Sequence, residues 1–149
     1  MTTLDLADLA SHVGEHLGYS PYHTVTQAQV DLFADATGDH QWIHQDVARA
    51  SAGPFGGTIA HGYLTLSLLP VLLGQIWQVT GVGMGVNYGA NRVRFPAPVP
   101  VGADVRAGAT LVEVSPLEGG LQVVLDVQVQ VRDAAKPSLV AQVLYRYYR

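Results

Sequence analysis

Residues 61–77, HGYLTLSLLPVLLGQIW, decide the fold of this chain. The leucines of this segment, together with Val71 and Ile76, spread over most faces of a helix instead of forming one stripe. A helix that is apolar on most faces is buried in a core. Pro70 lacks the backbone N–H that a helix interior needs, so we expect a kink or a break there. The segment predicts a long central helix surrounded by other elements.

After residue 79 the hydrophobic period changes from that of a helix to that of a strand. Residues 121–131 alternate between apolar and mostly polar side chains, as in a half-buried strand. Three other segments are predicted strands with turn-forming residues between them: 83–95, 104–114 and 139–148. Helices followed by strands predict an α+β fold, in which one antiparallel sheet packs around the central helix.

Three further helices are predicted before residue 61. The apolar spacing of residues 4–17 is helical. Thr26 and Gln29 fit a capping box that begins a second helix, and Gly38 is a suitable left-handed terminator for it. Asp46 is the expected cap of a short third helix that ends near residue 51.

Composition limits the function classes. At 149 residues the chain is expected to form a single domain spanning 1–149. A net charge of -4 argues against nucleic-acid binding, and the absence of cysteine excludes disulfides and thiolate chemistry.

The first residues, MTTLDLADLA, do not form a signal peptide, and no segment is suited to span a membrane, so we expect a cytoplasmic protein. Only 13% of residues are charged, which suggests that a partner subunit covers some apolar surface.

Asp39 and His44 are the candidate catalytic residues. They supply a carboxylate and an imidazole five residues apart, an offset of roughly 140° on a helix and opposite faces on a strand. They can converge only on a bent segment, and Gly38 begins one, with Trp42 and Ile43 as its expected core anchors. The alternative is that Asp39 only forms a turn and that His44 is structural.

Gly62 is the candidate oxyanion-binding residue. Backbone amides at the start of a helix lack intrahelical acceptors and lie at the positive end of the helix dipole. They can therefore stabilise a developing oxyanion, and Gly62 would let a carbonyl approach closely. The alternative is that Gly62 is small only for packing and that His61 is a polar residue of the first turn.

Residues 12–16, HVGEH, match a short zinc-peptidase pattern. No third ligand follows in a supporting context, and the pattern has a high false-positive risk. We interpret it as a solvated face and expect no metal site.

Four segments in this order resemble the MaoC-like (R)-specific enoyl-CoA hydratases, including their nodulation protein N-like relatives. They are FADATGD at 33–39, IH at 43–44, GTIAHG at 57–62 and NRVRFPAPV at 91–99. The chain differs from the pattern at Pro70, where some relatives have serine, and at Trp42, where relatives often have proline. Both differences concern the acyl pocket and neither involves Asp39 or His44.

The resemblance implies a single hotdog domain, an antiparallel sheet wrapped around a long central helix, that pairs into a homodimer. It implies (R)-specific hydration of trans-2-enoyl-CoA, with Asp39 and His44 as the catalytic dyad and the Gly62 N–H on the thioester oxygen. The CoA thioester is then the substrate, and no separate cofactor is expected. The alternatives are a hotdog acyl-CoA thioesterase, an acyl-carrier-protein dehydratase and a non-catalytic acyl-CoA-binding protein.

Overall fold

A computed structural model describes residues 1–149, in which three short strands precede the α-helices and four of the six strands of the main sheet follow them. The strands are β1 (Thr2–Asp5), β2 (His16–Tyr19), β3 (His23–Thr24), β4 (Trp77–Thr80), β5 (Met84–Arg94), β6 (Asp104–Leu117), β7 (Gly120–Val131) and β8 (Leu139–Tyr148). The α-helices are α1 (Gln27–Thr37), α2 (Trp42–Gln45), α3 (Val47–Ser51), α4 (Gly62–Ser67) and α5 (Leu69–Gly74). A 3-10 helix spans Leu9–His12.

The main sheet is antiparallel and has six strands. Its order is β2-β6-β7-β8-β5, and β3 also pairs with β6. β1 and β4 form a separate parallel pair. The four strands predicted after residue 79 are therefore confirmed as β5 to β8, and β5 lies at an edge of the sheet.

The apolar segment 61–77 forms the central helix, which confirms the hotdog architecture. Leu64, Leu69 and Leu72 are almost fully buried within one core cluster of 26 residues. The helix is interrupted at Leu68, so it consists of α4 and α5, as Pro70 predicted. Pro70 lies in the first turn of α5, where its missing N–H has no intrahelical partner to lose. No helix is long and apolar enough to cross a membrane.

The predicted helix over residues 4–17 is wrong. This segment forms β1, the 3-10 helix and the start of β2. Leu4, Leu9 and Leu17 do enter the core, but from three different elements. Gly14, with φ of 94°, turns the chain between the second and third of them. The apolar spacing imitated one face of a helix, although three short elements bring these leucines to the core separately.

Helix α1 begins and ends where its capping residues predict. The Thr26 side chain accepts a hydrogen bond from the Gln29 N–H at 3.2 Å. At the other end Gly38 adopts φ of 82°, and its N–H donates to the Ala34 carbonyl at 2.8 Å. This left-handed residue turns the chain sharply just before Asp39. The predicted cap of α3 is also present, since Asp46 accepts from the Arg49 N–H.

Candidate active site

Asp39 and His44 converge because the chain bends between α1 and α2. Asp39 lies in the turn after Gly38, whereas His44 lies on α2 instead of on an open loop. The expected core anchors are wrong: Trp42 and Ile43 are only half-buried. His44 itself is the buried residue of α2, with 6% of its surface exposed.

The orientation of His44 is set by backbone hydrogen bonds. Its Nδ1 lies 2.7 Å from the Ile59 carbonyl oxygen. A carbonyl oxygen only accepts, so Nδ1 carries a hydrogen and neutral His44 keeps its lone pair on Nε2. Gln27 donates to the His44 carbonyl at 2.8 Å and accepts from the Thr58 hydroxyl at 2.7 Å. These bonds fix both the backbone and the ring of His44.

The environment of His44 favours its neutral form. Burial lowers the pKa of His44 below its ordinary value of 6.5, and the neighbouring His61 lowers this pKa further. The hydrogen bond to Ile59 and the charge of Asp39 act in the opposite direction without reversing the shift. At neutral pH His44 is therefore an imidazole whose Nε2 can accept a hydrogen bond or a proton.

Asp39 is exposed and held by weak local bonds. Its Oδ1 accepts from the Gln41 N–H at 3.4 Å, and its own N–H donates to the Thr37 hydroxyl at 3.5 Å. The Asp39 carboxylate and ring nitrogens of His44 and His61 all lie within 4.8 Å of one another. A carboxylate and a neutral imidazole at this separation can hold one small polar molecule between them.

His61 is a buried member of this site that its sequence position did not reveal. Its ring stacks on that of His44, with centroids 3.8 Å apart and planes 24° from parallel. The alternative interpretation of His61, as only a polar residue of the first turn, does not account for its burial, since 3% of its surface is exposed. The only sequence signal was its place beside Gly62 at the start of an apolar helix.

One cavity joins the predicted site residues. It has a volume of about 240 Å³, and Asp39, His44, His61 and Gly62 contribute to its wall. Gly62 is the first residue of α4, so its N–H has no intrahelical acceptor. A second cavity of about 380 Å³, lined largely by apolar residues, also includes Gly62 in its wall. The structure thus brings all three sequence-predicted site residues to the same place.

Two groups of histidines, one near residue 12 and one in the cavity, are candidate metal-binding sites. His12 pairs with Glu15 at 2.9 Å, while the ring of His16 lies against Tyr19, and this surface is open to solvent. In the site, the rings of His44 and His61 are nearly parallel. One nitrogen of each ring is already engaged by a backbone carbonyl, Nδ1 of His44 by Ile59 and Nε2 of His61 by Asp39. The cluster fits proton transfer better than metal binding.

The chain is similar to characterised proteins over nearly its whole length. Residues 8–132 match the model of the MaoC like domain. 3-Hydroxyacyl-thioester dehydratase Z of Mycobacterium tuberculosis is 56% identical over 143 residues, covering 95% of each chain. Nodulation protein N of Rhizobium leguminosarum bv. viciae is 45% identical over 145 residues, covering 95% of this chain and 89% of that protein.

A solved structure shows the same architecture. The (R)-hydratase from A. caviae involved in PHA biosynthesis superimposes with a TM-score of 0.73 at 25% sequence identity. The match covers 89% of this chain and 94% of that one.

Protonation of His44 is expected to destabilise the fold. Its pKa is lower in the folded chain than the ordinary 6.5, so the unfolded chain binds more protons between those two values. The free energy of unfolding should therefore be at its full value above pH 6.5 and fall as the pH drops through the folded-state pKa. Urea unfolding of wild type and His44→Asn at several pH values measures this. The asparagine amide keeps a donor for Ile59 but does not titrate, so parallel pH dependences would contradict the expectation.

Proposed function

Because this chain belongs to the family of MaoC-like domains, we propose that it is a hydro-lyase that interconverts 3-hydroxyacyl and 2-enoyl thioesters. The proposed reaction is the reversible, (R)-specific hydration of trans-2-enoyl-CoA. The observation that supports the proposal is the shared cavity, whose wall includes Asp39, His44 and Gly62. The activity named for the 56% identical relative agrees with it.

Asp39 and His44 together hold the reacting water. The Nδ1–H of His44 is engaged with Ile59, so only Nε2 is free to accept a hydrogen from this water. The Asp39 carboxylate accepts the other hydrogen. A water that donates both hydrogens in this way directs an oxygen lone pair away from the dyad and toward C3 of the substrate.

The Gly62 amide polarises the thioester. Its N–H donates to the thioester oxygen, which draws electron density away from C3 and stabilises the enolate that forms after attack. An added Cβ at this position would lie 3.1 Å from the Phe95 ring, closer than ordinary contact. Glycine therefore allows both the carbonyl and Phe95 to lie against the start of α4.

The proton balance needs no cofactor. As the water oxygen bonds to C3, one water proton passes to Asp39 and the C2=C3 electron pair moves toward the thioester oxygen. That proton is then relayed from Asp39 to Nε2 of His44, which delivers it to C2, so both residues return to their starting protonation states as the enolate collapses to the thioester. In the dehydration direction the same groups remove the C2 proton and protonate the departing hydroxyl. Both proton transfers involve groups on one side of the substrate.

Two cavities that meet at Gly62 suit the two arms of a thioester. The 240 Å³ cavity would contain C2 and C3 beside the dyad, and the 380 Å³ cavity would contain the sulfur arm. That second cavity is lined partly by Phe55, Phe95 and Pro98, which suits the largely uncharged pantetheine. Pantetheine is common to CoA and to carrier proteins, so this cavity suits both thioesters. The proposed substrate is the CoA thioester, and the assay compares the two.

A second copy of this chain is the proposed partner. β5 forms a free sheet edge and is exposed along almost its whole length. Met84, Val86 and Tyr88 are large apolar residues on this exposed strand. An open, apolar edge strand invites pairing with another strand, and a two-fold axis would pair β5 with its own copy.

Removal of either dyad member should abolish most turnover. Asp39→Asn and His44→Ala are each expected to lower kcat about 10²- to 10⁴-fold, the usual contribution of a positioned acid or base. The measurement is the loss of enoyl-thioester absorbance with crotonyl-CoA and with the matching carrier-protein thioester. Thermal unfolding checks that each variant is folded.

Asp35→Asn is the matched control, since Asp35 lies on α1 with its side chain 71% exposed. It should keep wild-type kcat. Near-wild-type hydration by folded Asp39→Asn would refute the assignment, and release of free thiol instead of loss of the double bond would indicate a thioesterase.

The dimer should depend on β5. Light scattering is expected to give twice the 15.9 kDa mass of one chain for wild type. Val86→Lys places a charge on the exposed strand and should shift the protein toward monomer, whereas Val47→Lys on exposed α3 should not. A monomeric wild type would contradict the proposed homodimer.

A further inference from the structure

His61 is a buried histidine to which the proposed reaction assigns no proton transfer. It lies immediately before α4, and 3% of its surface is exposed. Its ring lies between two others: that of Phe33 on α1, with centroids 4.9 Å apart, and that of His44 on α2, at 3.8 Å. His61 therefore contacts the two helices on either side of the turn that carries Asp39.

The hydrogen bonding of His61 differs from that of a residue that only fills space. Its Nε2 lies 2.9 Å from the backbone carbonyl oxygen of Asp39, so Nε2–H is the donor. Its Nδ1 is buried and has no hydrogen-bond partner. A buried ring nitrogen without a partner costs free energy that an apolar ring of similar shape would not. Packing alone therefore does not explain a histidine here.

Apart from the bond from His61, Asp39 makes no short hydrogen bond to the core. The two local bonds of Asp39, to Thr37 and Gln41, are 3.5 and 3.4 Å long, at the weak end of hydrogen-bond geometry. The bond from His61 is 2.9 Å long and comes from a residue adjacent to Gly62. It thus connects the Asp39 turn to the start of the central helix, where the proposed oxyanion amide lies.

We propose that His61 is a positioning residue that aligns the dyad through two contacts. Its Nε2–H holds the Asp39 peptide, and its ring face holds the His44 imidazole, so both side chains stay directed at the same water. The inference rests on the proposed function, because the water and the thioester belong to that function. His61 and Asp39 are the titratable groups whose charge acts on His44.

Two variants separate these contacts. His61→Phe keeps a ring between Phe33 and His44 but removes the donor to Asp39. His61→Gln keeps an amide donor near the position of Nε2 but removes the ring. His40→Gln is the control, because His40 lies in the same turn, is 52% exposed and bonds to Gln45 instead of the dyad.

His61→Phe is expected to lower kcat about 10²-fold with little change in KM, the effect of a displacement of about 1 Å in a catalytic group. His61→Gln should retain much more of kcat. In both variants the acid limb in the pH profile of kcat/KM should move to higher pH, since each removes a neighbour that lowers the pKa of His44. His40→Gln should match wild type in both measurements.

Near-wild-type kcat in His61→Phe, together with a larger loss in His61→Gln, would show that His61 only fills the core and would overturn the proposal. Wild type provides a test that needs neither turnover nor a folded variant. Long-range ¹H–¹⁵N spectra should show His61 protonated at Nε2 and His44 at Nδ1. His61 protonated only at Nδ1 would overturn the proposal. A wild type without hydratase activity but with the expected tautomers would refute the proposed function and leave the assigned His61 contacts intact.

Discussion

The buried hydrogen bond from His44 Nδ1 to the Ile59 carbonyl determines what the site can do. At 2.7 Å it places the ring hydrogen on Nδ1 and leaves Nε2 as the lone pair available to the cavity. If this bond were absent, the ring could adopt either tautomer and rotate away from Asp39. Burial lowers the pKa of His44, but burial does not determine which ring nitrogen carries the hydrogen.

The fold supplies this acceptor by holding the segment before the central helix against a turn from the sheet. The Ala60 N–H donates to the Val99 carbonyl at 2.8 Å, and the Val101 N–H donates to Thr58 at 2.9 Å. Ile59, between them, donates its own N–H to the Ile43 carbonyl at 3.0 Å. The peptide that orients His44 is therefore tied to the sheet on one side and to α2 on the other. Packing of the central helix in the sheet fixes Gly62 in the same frame.

Local signals predicted the features that depend on neighbouring residues. The caps at Thr26 and Gly38 fixed the two ends of α1, and the bend after Gly38 made convergence of Asp39 and His44 foreseeable. Features that depend on distant contacts were not foreseeable. The segment 4–17 divides into short elements because its leucines reach the core separately, and a single-segment pattern does not reveal this. The burial of His61 likewise requires Phe33 and His44 on either side of it, which sequence spacing does not show.

In the proposed mechanism one water, held by Asp39 and His44 on a single side of the substrate, supplies both the hydroxyl and the new C2 proton. Hydration of crotonyl-CoA in deuterium oxide, followed by determination of the configurations at C2 and C3, tests it most directly. We expect the (R)-3-hydroxy product with oxygen and deuterium added to the same face. Addition to opposite faces would require a proton donor across the substrate from the dyad and would contradict this mechanism, and an (S)-3-hydroxy product would mean that the opposite face of C3 meets the water, against the proposed (R)-specificity.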